Sequence, residues 1–142
     1  MTRHIAFWDD LASDLEDPAF LRAYLAESMR IATVDAVINA IDGAREVAGL
    51  SKAELARAIR KDSATIRRLL SSANPNPTLG TLAEVAAALG LRITVEPLSQ
   101  EEREQVTRPL LDGHSADRER LARYLADLRA GHENARVQPV VS

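Results

Sequence analysis

Apolar and polar residues follow one another along most of this chain with the three-to-four-residue period of amphipathic helices. Asp17-Pro18 opens the first run, because an Asp cap accepts a first-turn N–H and proline at the next position sacrifices no bond. Leu21, Tyr24, Leu25, Ser28 and Met29 then share one face. A second run places Val34, Val37, Ile38, Ile41, Ala44 and Ala48 on one stripe and stops at Gly49. The capping box Ser51-Lys52-Ala53-Glu54 predicts a short helix over 51–59 with Leu55, Ala56 and Ile59 inward. Asp62 or Ser63 caps the next, over 63–71, which buries Ile66, Leu69 and Leu70. After the loop Ser71–Pro77, a further helix starts at Thr78 or at the box Thr81–Glu84 and ends at Gly90.

The period then changes. Leu91-Arg92-Ile93-Thr94-Val95-Glu96 alternates strictly, which predicts a half-buried strand closed by Pro97. No second strand is visible, so this one is expected to pair with its own copy or with a partner's sheet edge through Leu91, Ile93 and Val95. Beyond it lie the capped stretch Ser99–Glu102 and a helix from Ser115 to about Ala130. Residues 131–142 read as frayed. The expected architecture is all-α: a five-helix bundle with one short strand and a C-terminal helical extension. The expected divisions are an acidic segment 1–16, a bundle over 17–98 and an extension over 99–142.

Composition narrows the function. The chain has 142 residues, of which 46% are hydrophobic and only 4% aromatic, so a core of Leu, Ile, Val and Ala is expected. Cysteine is absent, which excludes disulfides, thiol catalysis and thiolate metal sites. The longest apolar run, Val85–Leu89, is far below a membrane span of roughly 20 residues. The N-terminus lacks the apolar region of a signal peptide, so a cytoplasmic protein is expected.

Net charge is −3, but its distribution is uneven. Residues 1–30 hold three Arg against six acids. Arg57, Arg60, Lys61, Arg67 and Arg68 face only Asp62, the one basic concentration in the chain. It coincides with two short helices joined by about three residues, the signature of a helix-turn-helix. A helix about 10–12 Å across fits the major groove of B-DNA, so the second helix offers side chains to base edges while its neighbours hold phosphates. Base-facing candidates are Ser63, Ala64, Thr65 and Arg67. Phosphate-contacting candidates are Lys52, Arg60, Lys61 and Arg68.

The stretch Leu50-Ser51…Glu54-Leu55-Ala56, Thr65-Ile66, Pro77-Thr78-Leu79…Thr81-Leu82…Ala88-Leu89-Gly90 resembles the Cro/cI-repressor type of helix-turn-helix. A longer stretch, about residues 20–97, resembles the HigA-like antitoxins, the antidote proteins of addiction modules. It is carried by Tyr24-Leu25, Ala40-Ile41…Ala44-Arg45, Leu70-Ser71, Asn76-Pro77 and Ala88-Leu89-Gly90-Leu91. That resemblance implies an antitoxin that represses its own operon and neutralises a small, basic RelE-like ribonuclease toxin. The chain departs from the pattern at the turn, where Arg60-Lys61 replaces Gly and an apolar residue, so the turn's geometry or packing is expected to differ. The loop before Asn76-Pro77 is one residue longer, and 99–142 has no counterpart.

Other features carry less. Phe7-Trp8 beside Asp9-Asp10 is read first as core packing and second as an anchor for a basic partner. His4, His114 and His132 lie far apart with no ligand at metal spacing. No serine sits in a nucleophile elbow and no glycine loop cradles phosphate, so neither an enzyme nor any cofactor is expected. The expected function is a sequence-specific DNA-binding repressor acting as a homodimer on double-stranded operator DNA. The alternative is an interaction module that covers a partner without touching DNA. Salt separates them, because phosphate binding falls steeply with ionic strength.

Overall fold

A computed structural model describes residues 3–137, with side chains described over 9–131. The described residues are helical and contain no strand. No helix among them is long and apolar enough to cross a membrane. Contacts divide the chain at Ala32–Thr33 and Val95–Glu96 rather than at the expected 16/17 and 98/99. Each resulting unit has its own core.

The helix α1 spans Arg3–Asp14, where the sequence suggested only an acidic segment. Leu11 and Leu15, one turn apart, are buried with Ala12. Phe7 and Trp8 fall on α1, but their side chains lie outside the described residues. The next helix, α2, runs unbroken over Pro18–Ala48, capped where Asp17 Oδ1 accepts from Ala19 N–H at 3.1 Å. Two helices were expected here, and the merger leaves four helices, not five, over residues 17–90. No Gly or Pro lies between Met29 and Val34, so nothing ends the helix. The pattern looked divided because Leu21, Leu25 and Ser28 are buried in one unit, whereas Ile38 and Ile41 are buried in the other.

The first unit, residues 3–32 and 96–137, closes with α6 (Gln100–Glu102), a π-helical turn (Arg103–Thr107), α7 (Arg108–Asp112) and α8 (Arg118–Val137). The widened turn leads into Pro109, whose ring has no N–H and would crowd the Gln105 carbonyl of a regular α-turn. Leu21, Leu25, Val106, Leu121 and Leu125 fill its core with the buried α1 residues. Arg22 closes the end of α7, donating Nε to the Leu110 carbonyl at 3.0 Å and Nη2 to that of Leu111 at 2.8 Å. Arg129 lies over the Tyr24 ring, 4.2 Å from its centroid, and donates Nε to Ser28 Oγ at 3.1 Å. The helix α8 begins three residues later than Ser115 and continues beyond Ala130, where fraying was expected, to Val137; residues 138–142 lie outside those described.

The second unit, Thr33–Val95, holds the C-terminal part of α2 with α3 (Lys52–Ala58), α4 (Ser63–Ser71) and α5 (Leu79–Ala88). Ile38, Ile41, Leu55, Ala56, Ile66, Leu69, Leu70 and Val85 form its core. The expected strand over 91–96 is absent. A strand exists by pairing, and from Arg92 to Pro97 the backbone makes no hydrogen bond within the described chain. The segment is instead an exposed run free of turns and bends.

Candidate nucleic-acid interface

Three local rules in the second unit aim α4 outward. The first is the start of α3. Ser51 Oγ accepts from Glu54 N–H at 3.0 Å, and Glu54 Oε1 accepts from Ser51 N–H at 3.0 Å, the reciprocal capping box. These bonds hold the Glu54 carboxyl below its ordinary range. Arg45, which sequence reasoning noticed only as part of a motif, sets the approach: its Nη1 donates to the Leu50 carbonyl at 2.8 Å while Nη2 pairs with Asp42 at 2.9 Å.

The second rule governs the turn. Arg60 N–H donates to the Arg57 carbonyl at 3.2 Å and Lys61 N–H to that of Ala56 at 2.9 Å, the paired closure of a Schellman motif. That motif needs a left-handed residue after the cap. Arg60 takes the conformation at φ 58°, just as Gly49 and Gly90 do after α2 and α5. The turn geometry is therefore kept without glycine, by straining an arginine.

The third rule starts α4. Asp62, not Ser63, is the cap. Its Oδ1 accepts from Thr65 N–H at 2.8 Å and from the Thr65 hydroxyl at 2.9 Å. The backbone bond first, then the hydroxyl bond, and more weakly the charges of Arg68 and Arg67 hold the Asp62 carboxyl below its ordinary range. Its negative charge is thus spent on the helix end rather than presented alone beside the basic face.

With Ile66, Leu69 and Leu70 turned inward, helical phase puts Ala64, Arg68 and Ser71 at the middle of the outward face and Arg67 beside them. Arg67 and Arg68 are exposed; Ser63, Ala64 and Thr65 are half-buried. The structure brings several expected residues together. Arg67 Nη1 donates to Ser63 Oγ at 3.3 Å, Arg68 Nη2 leans on Thr65 Oγ1 at 3.5 Å, and Lys52 Nζ donates to Ser71 Oγ at 3.3 Å. Arg60 and Lys61 stand exposed on the turn. Beside α4, a groove of about 250 Å³ is lined by Thr65, Arg68, Leu69, Asn74, Pro75 and Thr81. Thr78 caps α5 here, accepting from Thr81 N–H at 3.1 Å, which settles the two starts the sequence allowed.

Two helices joined by a tight turn, the second presenting arginines over an apolar inner face, are the geometry that docks a helix in a major groove. Residues 44–95 match the helix-turn-helix family model. No curated protein and no solved structure matches the chain. The matched segment begins inside α2 and ends with the exposed run 91–95, so it covers a little over a third of the chain. It contains every candidate DNA contact of the helix-turn-helix, and the residues outside it belong to the other unit or to the first part of α2.

Proposed function

We propose that this chain is a sequence-specific transcriptional repressor that binds operator DNA as a homodimer, and that it is the antitoxin of a HigBA-type module. The observation that carries the DNA part is the outward face of α4: exposed Arg67 and Arg68, with the Asp62 carboxylate engaged as a helix cap. Ser63, Ala64, Thr65 and Arg67 read base edges, and helical phase adds Arg68 to that group. Lys52, Arg60 and Lys61 hold phosphates and set the register. Repression follows by occlusion of the promoter. The Thr65 hydroxyl has a definite role in this reading. Its proton is committed to Asp62, so toward a base it can only accept, which suits the amino group of adenine or cytosine.

The antitoxin part rests on the HigA-like pattern over residues 20–97 and on charge. Asp9, Asp10 and Asp14 are exposed, next to Glu16, which pairs with Arg118 at 3.2 Å, and the α2 cap Asp17, a surface suited to a small basic RelE-like toxin. The same surface favours the second reading, a module that covers a basic partner without touching DNA. A mobility-shift titration with the DNA upstream of the chain's own reading frame separates the two. A retarded complex that weakens steeply with salt supports the repressor; no complex at low salt leaves the interaction module.

A further inference from the structure

Thr65 Oγ1 stands in the middle of a three-membered chain at the start of α4. Its hydroxyl donates to Asp62 Oδ1 at 2.9 Å, and the same oxygen accepts from Arg68 Nη2 at 3.5 Å. Asp62 Oδ1 also takes the Thr65 N–H at 2.8 Å, so the chain is tied to the backbone. Arg67 is held differently. Its Nη1 donates to Ser63 Oγ at 3.3 Å, and that hydroxyl makes no other bond among the described residues, so it remains a free rotor. Only the Thr65 hydroxyl has its polarity fixed by an acid.

A hydroxyl has one proton and two lone pairs. At Thr65 the proton goes to Asp62 and one lone pair to Arg68, which leaves a single acceptor position. Arg68, exposed beside Thr65 on the wall of the groove, keeps the other N–H groups of its guanidinium, enough for a two-pronged contact. A donor fork and an acceptor therefore stand side by side, 3.5 Å apart. In the major groove, guanine presents the acceptors N7 and O6, and the N4 amino donor of its cytosine follows on the same edge. O6 and N4 are hydrogen-bonded to each other within the pair, so they lie about 3 Å apart, close to the spacing of the two protein tips. A T·A pair repeats the acceptor-then-donor step with O4 and N6 but offers a methyl where N7 would be. A·T and C·G reverse the step and set donor against donor and acceptor against acceptor. We infer that Arg68 and Thr65 act as one reader of a single G·C pair, with Asp62 as the positioning residue that fixes the polarity of Thr65. The inference deepens the DNA-reading part of the proposed function and rests on it.

The test replaces each base pair of the upstream duplex in turn and titrates the full chain by fluorescence anisotropy. Wild type is expected to rank one pair as G·C, then T·A, then A·T and C·G, with about tenfold or more between first and last. Thr65→Val keeps the backbone N–H that Asp62 caps and removes only the hydroxyl. At that pair T65V and Arg68→Ala are each expected to flatten the ranking, and the double variant to lose no more than the larger single loss, whereas independent readers lose the product. Thr65→Ser is expected to rescue it, since the hydroxyl returns. Two modified duplexes report single atoms. N4-methylcytosine, which fills the groove-facing N4 hydrogen position, should weaken wild type about fivefold or more and leave T65V unchanged; 7-deazaguanine should do the same to wild type and leave R68A unchanged. Rankings lost at different pairs in T65V and R68A, losses that multiply, or N4-methylcytosine without effect on wild type would overturn the inference while DNA reading stands. A wild-type chain indifferent to every replacement would overturn the repressor reading and the inference with it.

Discussion

The Asp62 carboxylate accepts both the N–H and the hydroxyl of Thr65, at 2.8 and 2.9 Å, from one oxygen. A helix start, a solvent-facing hydroxyl and two arginines are thereby organised around one acid. Because the bonds favour the ionised form, the folded pKa of Asp62 lies below the ordinary value of 3.8. The sign follows from linkage: the contribution is complete well above the unfolded value and disappears as pH falls through the folded one. Urea unfolding monitored by circular dichroism should therefore show stability declining below about pH 4, and Asp62→Asn should flatten part of that decline. Equal slopes for both proteins would remove the cap from the account.

Arg60 makes the opposite trade. A left-handed arginine costs about 1–2 kcal/mol, partly offset on replacement by the entropy glycine carries in the unfolded chain. Arg60→Gly should stabilise the second unit by about 0.5–1 kcal/mol in thermal or denaturant unfolding. The same change removes a cation from the DNA face, so affinity should fall alike for all duplexes, with the salt slope smaller by about 1. A variant that is both more stable and unchanged in DNA affinity would take Arg60 out of the phosphate group.

Gly113 is the corresponding position of the first unit, at φ 83°. A Cβ there would stand 3.2 Å from the Arg22 guanidinium, which caps the carbonyls of Leu110 and Leu111. Gly113→Ala should destabilise the chain by more than about 1 kcal/mol through strain and the displaced cap. A thermal midpoint unchanged from wild type would contradict that role.

Ile66 is fully buried under the outward face of α4. Ile66→Ala should cost about 2–5 kcal/mol and weaken DNA binding through loss of the helix platform, whereas Ile66→Val should cost about 0.5–1.5 kcal/mol. If Ile66→Ala binds DNA normally at 25 °C while unfolding at lower urea, the platform tolerates the cavity and the coupling is absent.

Much of the second unit was legible because its signals are local. Ser51 and Glu54, Asp62, Thr78 and the Ile66–Leu69–Leu70 stripe each declare a helix end or an inner face within one turn. The turn was harder to read, since Arg60 gives no compositional sign of a left-handed backbone; its conformation is imposed by α3 and α4 closing on either side. The capped start at Ser99–Glu102 was legible in the same way, whereas helix α1, the π turn over 103–107 and α7 were missed for a different reason. Leu11, Leu15 and Val106 become buried only through contacts with residues distant in sequence, and Pro109 disguises a helix that continues through a π turn. The alternation over 91–96 was not a sign of a strand: the run has no backbone partner among the described residues.

The central claim is that the outward side of α4 reads duplex DNA. It is tested most directly by fluorescence-anisotropy titration of wild type, Arg67→Ala and Arg68→Ala against the chain's own upstream duplex and a scrambled duplex. Each arginine that reads a base should cost about 1–3 kcal/mol on the upstream duplex and much less on the scrambled one. Wild type binding both duplexes equally, or both variants binding the upstream duplex like wild type, would contradict the account.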